Sequence, residues 1–260
     1  MKAVQVVSRG QAAFVEVAEP ANQAGHVLVR TTHLSLCGSD VQMLHYADEA
    51  SYPFPPGTTG HEMVGIVEQV GVGDTPVQPG DRVLCLAPGH RAMCELYSAP
   101  FEHLVPLPAD GNMEQLLQAQ QLGTVIYASK RLPSVEGKNV VVFGQGSAGL
   151  WFNFYLRRLG AKKIVAVDIE AYRLERSRLF GADGICHNSE QDPEACVRSE
   201  FDGELADLVV EAAGEVDSIN LASGLVRKFG EILFFGYPRS QTFAFQFDRF
   251  YQKCCRATTI

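Results

Sequence analysis

The segment that most narrows the fold is Asn139-Val140-Val141-Val142-Phe143, followed at once by Gly144-Gln145-Gly146-Ser147-Ala148-Gly149. A short, unbroken apolar run closed by glycine is the pattern of a strand buried on both faces, the normal state of a parallel sheet. The stretch GLWFNFYLRRLG behind it has helical apolar spacing and ends on glycine. The same alternation then repeats through KIVAVD (163–168), AYRLERSRLFG, GICH, PEACVRSEF, ADLVVEAAG, SINLASGLVRKFG and EILFFG. Five strand–helix alternations predict an α/β fold built on a doubly wound parallel sheet.

The glycine hexapeptide is G-x-G-x-x-G. Alone it is a weak signal, since glycine-rich turns without any ligand are common. Between a strand and a helix it acquires a mechanism. Gly144 permits the tight turn, and Gly146 lets backbone approach a pyrophosphate. Gly149 lets the helix, opening at Ser147 and Ala148, pack close to the strand with its N-terminus facing the anion. Asp168 ends the next strand, 19 residues after Gly149. A carboxylate there accepts hydrogen bonds from ribose hydroxyls and repels a 2′-phosphate, which favours NAD over NADP. The competing reading is an aspartate that only begins the next turn. Arg173, five residues on, is expected on the solvated face of its helix.

The first 110 or so residues have a different texture. Short apolar runs such as HVLVRTTHLSL, MVGIVEQVGVG and DRVLCLAP are separated by turn signals such as Pro55-Pro56-Gly57 and Pro79-Gly80-Asp81. This predicts β structure, passing into a helix over 112–131, with the boundary to the α/β half near Pro133–Lys138. The net charge of -8 and the lack of a basic patch argue against a nucleic-acid binder. No apolar run approaches the roughly 20 residues that span a bilayer. The opening MKAVQVVSRG has no apolar signal stretch, so a cytoplasmic protein is expected, its seven scattered cysteines reduced.

Two short pieces of the β half, Cys37-Gly38-Ser39-Asp40 and Gly60-His61-Glu62, carry a thiol, an imidazole and a carboxylate on separate loops. That mixed S/N/O donor set suits Zn(II). Taken singly, such a cysteine is more often a small buried hydrophobe and such a histidine structural.

In combination with the dinucleotide turn, these pieces resemble the medium-chain, zinc-dependent alcohol and polyol dehydrogenases. The resemblance runs in order through CGSD, GHEMVGIVEQVG, GDRV, HLVPLP, VVVFGQGSAG, VDIEAYRLERSRLFGAD, VVEAAG and GEILFFGYP. It implies a GroES-like, partly open β-barrel over 1–132 and a Rossmann NAD-binding domain over 133–260. It implies hydride transfer between a secondary alcohol or polyol and NAD, with one catalytic zinc per chain. By the same resemblance Cys37 and His61 are zinc ligands, and Glu62 is a ligand or a neighbour exchanging with water. Ser39 relays the substrate proton, and Asp40 orients His61.

The sequence departs from the family pattern in four places. GDRVLCLAPGHRAMCELY runs through without the four-cysteine lobe, so no structural zinc is expected. Gln120-Gln121 stand where a further cysteine or glutamate often lies. Gln42 replaces a frequent histidine, with His45 three residues on. The chain ends at Ile260, where the family's sixth sheet strand is expected to begin. This predicts Ile232, Leu233, Phe234 and Phe235 on or near an uncovered sheet edge, in a shortened dehydrogenase whose extended form is a homo-oligomer. The alternative from a different class is a non-catalytic NAD-binding or interaction protein derived from such an enzyme.

Overall fold

The computed structural model describes residues 1–87, 89–240 and 242–260. The chain divides into two compact units, Met1–Gln120 and Gln121–Ile260.

The first unit opens with a hairpin of β1 (Lys2–Ser8) and β2 (Gln11–Glu16). After β3 (His26–Ser35) comes helix α1 (Gly38–His45), then β4 (Glu62–Val70), β5 (Arg82–Leu86), β6 (Leu96–Pro100) and β7 (Leu104–Pro106). The five strands pair antiparallel in the order β6-β3-β4-β5-β7. They form the expected partly open barrel. Val27, Val29, Met63, Val67, Val83 and Cys85 fill its interior. The expected single helix over 112–131 is two: α2 (Met113–Leu117) and α3 (Ala119–Ser129), broken at Gln118. Asn112 caps α2 by accepting from the Glu114 and Gln115 amides.

The second unit alternates as its sequence predicts: β8 (Asn139–Phe143), α4 (Ser147–Arg158), β9 (Lys163–Asp168), α5 (Ala171–Leu179), β10 (Gly184–His187), α6 (Pro193–Glu200), β11 (Ala206–Glu211), α7 (Val216–Leu225) and β12 (Val226–Phe234). Helix α8 (Phe247–Gln252) and β13 (Arg256–Thr259) complete it. The sheet is parallel, in the order β10-β9-β8-β11-β12-β13. Successive strand residues serve opposite faces. Val141, Val165, Val209 and Ile232 meet α6 and α7, whereas Val140, Val142, Ile164, Leu208 and Leu233 meet α3 and α4.

The chain end corrects one expectation. Residues Arg256–Thr259 form the sixth strand, with Ile232 opposite Ala257 and Leu233 opposite Thr258. Ile232 and Leu233 are fully buried, and Phe234 and Phe235 half-buried, so β12 is no sheet edge. Four residues, RATT, carry too little apolar alternation to read as a strand. They become one because β12 offers them a row of unpaired backbone groups. A smaller correction concerns VRKFG (226–230), read with the preceding helix but belonging to β12, whose irregular start includes Phe229 at φ +60°. Among the described residues no helix is long and apolar enough to cross a membrane.

Candidate metal centre and dinucleotide-binding turn

In the first unit, the 24-position separation of Cys37 and His61 is closed by one strand pair. Strands β3 and β4 run antiparallel with Ser35 opposite Glu62. The loop leaving β3 therefore lies beside the loop entering β4. Cys37 Sγ is 3.4 Å from His61 Nε2, which is 3.9 Å from Glu62 Oε1. The ligand atoms of these three residues all fall within 4.8 Å of one another. A tetrahedral zinc with bonds of about 2.0–2.3 Å holds its ligand atoms roughly 3.3–3.8 Å apart. The donor set and its spacing therefore fit one such ion with small adjustments.

The surroundings hold these groups in place. Ser35 Oγ donates to Glu62 Oε2, and Ser39 Oγ lies 2.8 Å from Cys37 Sγ. Asp40 is buried at 4% exposure. Its Oδ2 accepts from the Cys37 amide at 2.8 Å and its Oδ1 from the Gly60 amide at 3.0 Å. One carboxylate thus ties the Cys37 and His61 loops together. Its distance to His61 Nδ1, 3.8 Å, is longer than a hydrogen bond. Burial pushes the Cys37 thiol and the Glu62 carboxyl above their ordinary ranges; hydrogen bonds from Ser39 and Ser35 pull the other way.

Two neighbours escaped the sequence. Ser35 faces Glu62 only because of strand register. His90 sits with its ring centroid 4.4 Å from that of His61, and burial together with that ring pushes its imidazole below the usual range. Cys85 and Cys94 are thiols that burial pushes up to about 12 and about 11.

In the second unit the three glycines of the turn have three different reasons. Gly144 has φ +80°, and a Cβ there would meet the Ala213 amide nitrogen at 2.9 Å. A Cβ on Gly149 would stand 1.7 Å from the Gly144 carbonyl oxygen, so only glycine lets α4 approach. A Cβ on Gly146 would meet nothing within 4 Å. That open, exposed position at the start of α4, with Ser147 and Ala148 next, is where a phosphate can reach backbone. Gln145 is buried instead. Its Nε2 donates to the Val142 carbonyl and its Oε1 accepts from Asn153 Nδ2, which locks the turn to its own helix. Asp168, 6% exposed, accepts from the Gln145 amide through Oδ2 and from the Glu170 amide through Oδ1. Arg173 lies on the solvated face of its helix, its side chain 43% exposed, with Nη1 4.0 Å from Asp168 Oδ2.

Comparison with known proteins agrees with both halves. Residues 23–129 match the alcohol dehydrogenase GroES-like domain family, and residues 148–257 the zinc-binding dehydrogenase family. D-xylulose reductase A of Aspergillus oryzae is 26% identical over 250 residues, 84% of this chain and 70% of that protein. D-arabitol-phosphate dehydrogenase of Enterococcus avium is 27% identical over 264 residues, 90% of this chain and 74% of that protein. The solved structure of the alcohol dehydrogenase TADH from Thermus sp. ATN1 superposes with a TM-score of 0.86 at 29% identity, covering 100% of this chain and 84% of that one. With a GroES-like half carrying the Cys-His-Glu cluster and a doubly wound half carrying the glycine turn, the chain belongs to the medium-chain zinc-dependent alcohol and polyol dehydrogenases.

Proposed function

We propose that the protein is an NAD-dependent dehydrogenase of a secondary alcohol or polyol, with one zinc held by Cys37, His61 and Glu62. The convergence of those three ligand atoms within 4.8 Å carries the reading. When bound, zinc supplies a Lewis acid that acidifies a ligated hydroxyl, and NAD supplies the hydride acceptor. The chain's own residues do the rest. Ser39 Oγ, beside the Cys37 sulfur, takes the substrate hydroxyl proton and passes it on. Asp40 holds the two ligand loops in register. The Gly144–Gly149 turn receives the pyrophosphate, and Asp168 accepts from the adenosine ribose.

The relatives named for xylulose and arabitol phosphate make five-carbon polyols and their ketoses the first substrates to try. The uncovered-edge argument for a non-catalytic binding protein falls with the pairing of β13. By the same reading an extended form of the chain works as a homo-oligomer, which sedimentation tests.

Elemental analysis of the purified protein should give about one zinc per chain, and Cys37→Ser should remove most of it while leaving NADH binding intact. NADH formation on adding a pentitol and NAD should follow the zinc content. A protein that carries no zinc after expression in zinc-supplied medium, or that oxidises polyols equally well without Cys37, overturns the proposal.

A further inference from the structure

Glu211 ends β11 and is fully buried. Its Oε1 accepts three hydrogen bonds: from the Ala213 amide at 2.9 Å, the Gly214 amide at 2.9 Å and Ser218 Oγ at 2.7 Å. Its Oε2 is buried without a hydrogen-bond partner. Its backbone carbonyl accepts from the Phe235 and Gly236 amides, both at 2.9 Å. One residue therefore fastens the turn after β11 through its side chain and the turn after β12 through its main chain.

The two turns are in close contact. A Cβ on Gly214 would lie 2.2 Å from the Tyr237 carbonyl oxygen, and one on Gly236 would lie 2.3 Å from the Gly214 nitrogen and 2.8 Å from Glu211 Oε2. The first turn also abuts the phosphate turn, since Ala213 N is what a Cβ on Gly144 would strike. The Ala212 amide donates to the Phe143 carbonyl at 2.9 Å. The carboxyl ends of β8, β11 and β12 thus form one continuous rim.

That rim lies at a defined place in the topology. The chain builds β8, β9 and β10 outward in one direction, then returns to place β11, β12 and β13 on the other side of β8. A dinucleotide bound at such a switch point extends across it, one nucleoside on each side. Asp168 ends β9, on one side; with the adenosine held there, the second nucleoside would lie over the ends of β11 and β12.

Burying a carboxyl is costly, and an apolar side chain would fill a strand end at lower cost. Satisfying two amides of the turn and a hydroxyl of the helix that follows is a task that an apolar residue cannot perform. We propose that Glu211 is a positioning residue, whose carboxyl shapes the Ala212–Gly214 and Gly236–Tyr237 rim on which the second nucleoside of the dinucleotide rests. The inference rests on the dinucleotide reading given above. Burial pushes this carboxyl above its ordinary range, so the neutral isostere glutamine is a suitable conservative replacement.

The test separates the two halves of the cofactor by calorimetric titration with ADP, which occupies only the adenosine side, and with NADH. Glu211→Ala should raise the NADH Kd about tenfold or more, with the ADP Kd changed less than about twofold. Glu211→Gln, which keeps an acceptor for the three donors, should stay within about threefold of the wild type for both. Ser218→Ala removes one donor and leaves the carboxyl, a milder perturbation of the fold, and should raise the NADH Kd about threefold with ADP unaffected. Equal losses for ADP and NADH, no loss in either Ala variant, or a Gln variant as impaired as Glu211→Ala overturns the positioning role. A wild-type protein that binds neither ADP nor NADH overturns the dinucleotide reading, and this inference with it.

Discussion

Asp40→Ala is the perturbation that most directly probes how the proposed metal centre is held. The side chain is 4% exposed and its two oxygens each satisfy a backbone amide, those of Cys37 and Gly60. Hydrogen bonds to a charged group contribute about 1.5–3 kcal/mol each, and a buried donor left unpaired costs about 1–3 kcal/mol. Two such bonds bound the loss at about 6 kcal/mol, and local relaxation with water entry brings the expected value to about 3 kcal/mol. A domain holds only about 5–15 kcal/mol in total. For a unit of this size the melting temperature falls about 3–4 °C per kcal/mol, so the variant should melt roughly 10 °C lower. The loops so loosened carry Cys37 and His61, and loss of such supporting contacts weakens metal affinity about 10–100-fold. Differential scanning calorimetry, with and without added zinc, reads the first effect, and competition against a chelator reads the second. A variant that melts within about 3 °C of the wild type and holds zinc as tightly refutes the claim that one carboxylate fastens both loops.

Three other outcomes follow from the second unit. Gly149→Ala places a methyl 1.7 Å from a backbone oxygen, which cannot swing aside, so ADP affinity should fall at least about tenfold; unchanged ADP titration refutes the close-approach argument. Asp168→Ser should weaken NADH and lower the preference for NADH over NADPH about tenfold, because the like-charge repulsion of a 2′-phosphate is removed; an unchanged ratio of the two Kd values counts against Asp168 as the discriminator. Glu211 is held above the ordinary 4.5 by burial, with the nearby Glu215 carboxylate adding to the rise. The folded chain then binds that proton more tightly than the unfolded chain does. The wild type should lose stability as pH rises from about 4.5 through the folded-state value, relative to Glu211→Gln. Urea midpoints of the two proteins compared between pH 4.5 and 7 check the sign, and a constant difference contradicts it.

Local patterns in the sequence were enough to establish the alternation of the second half, the glycine turn and the donor types of the metal cluster. An unbroken valine run followed by G-x-G-x-x-G has one consistent conformation, and each glycine there answers a constraint set within a few residues or by the adjoining helix. The cysteine, histidine and glutamate are readable as donors because their chemistry belongs to the side chain itself. What the sequence could not carry was pairing between distant residues. Ser35 meets Glu62 through strand register, and Asp40 meets the Gly60 amide because the loops beside β3 and β4 come together. Gln145 and Asn153 look like surface residues until α4 folds back over its own turn and buries both. Arg256–Thr259, with no strong strand signal, became the sixth strand, and a predicted edge at β12 became interior. Glu211 reads as one more acid in an apolar run, and only the return of the chain at Phe235 and Gly236 makes it the fastening of two turns. Periodicity and side-chain chemistry are properties of neighbouring residues. A buried hydrogen bond or a sheet edge is decided by whichever distant segment arrives to satisfy it.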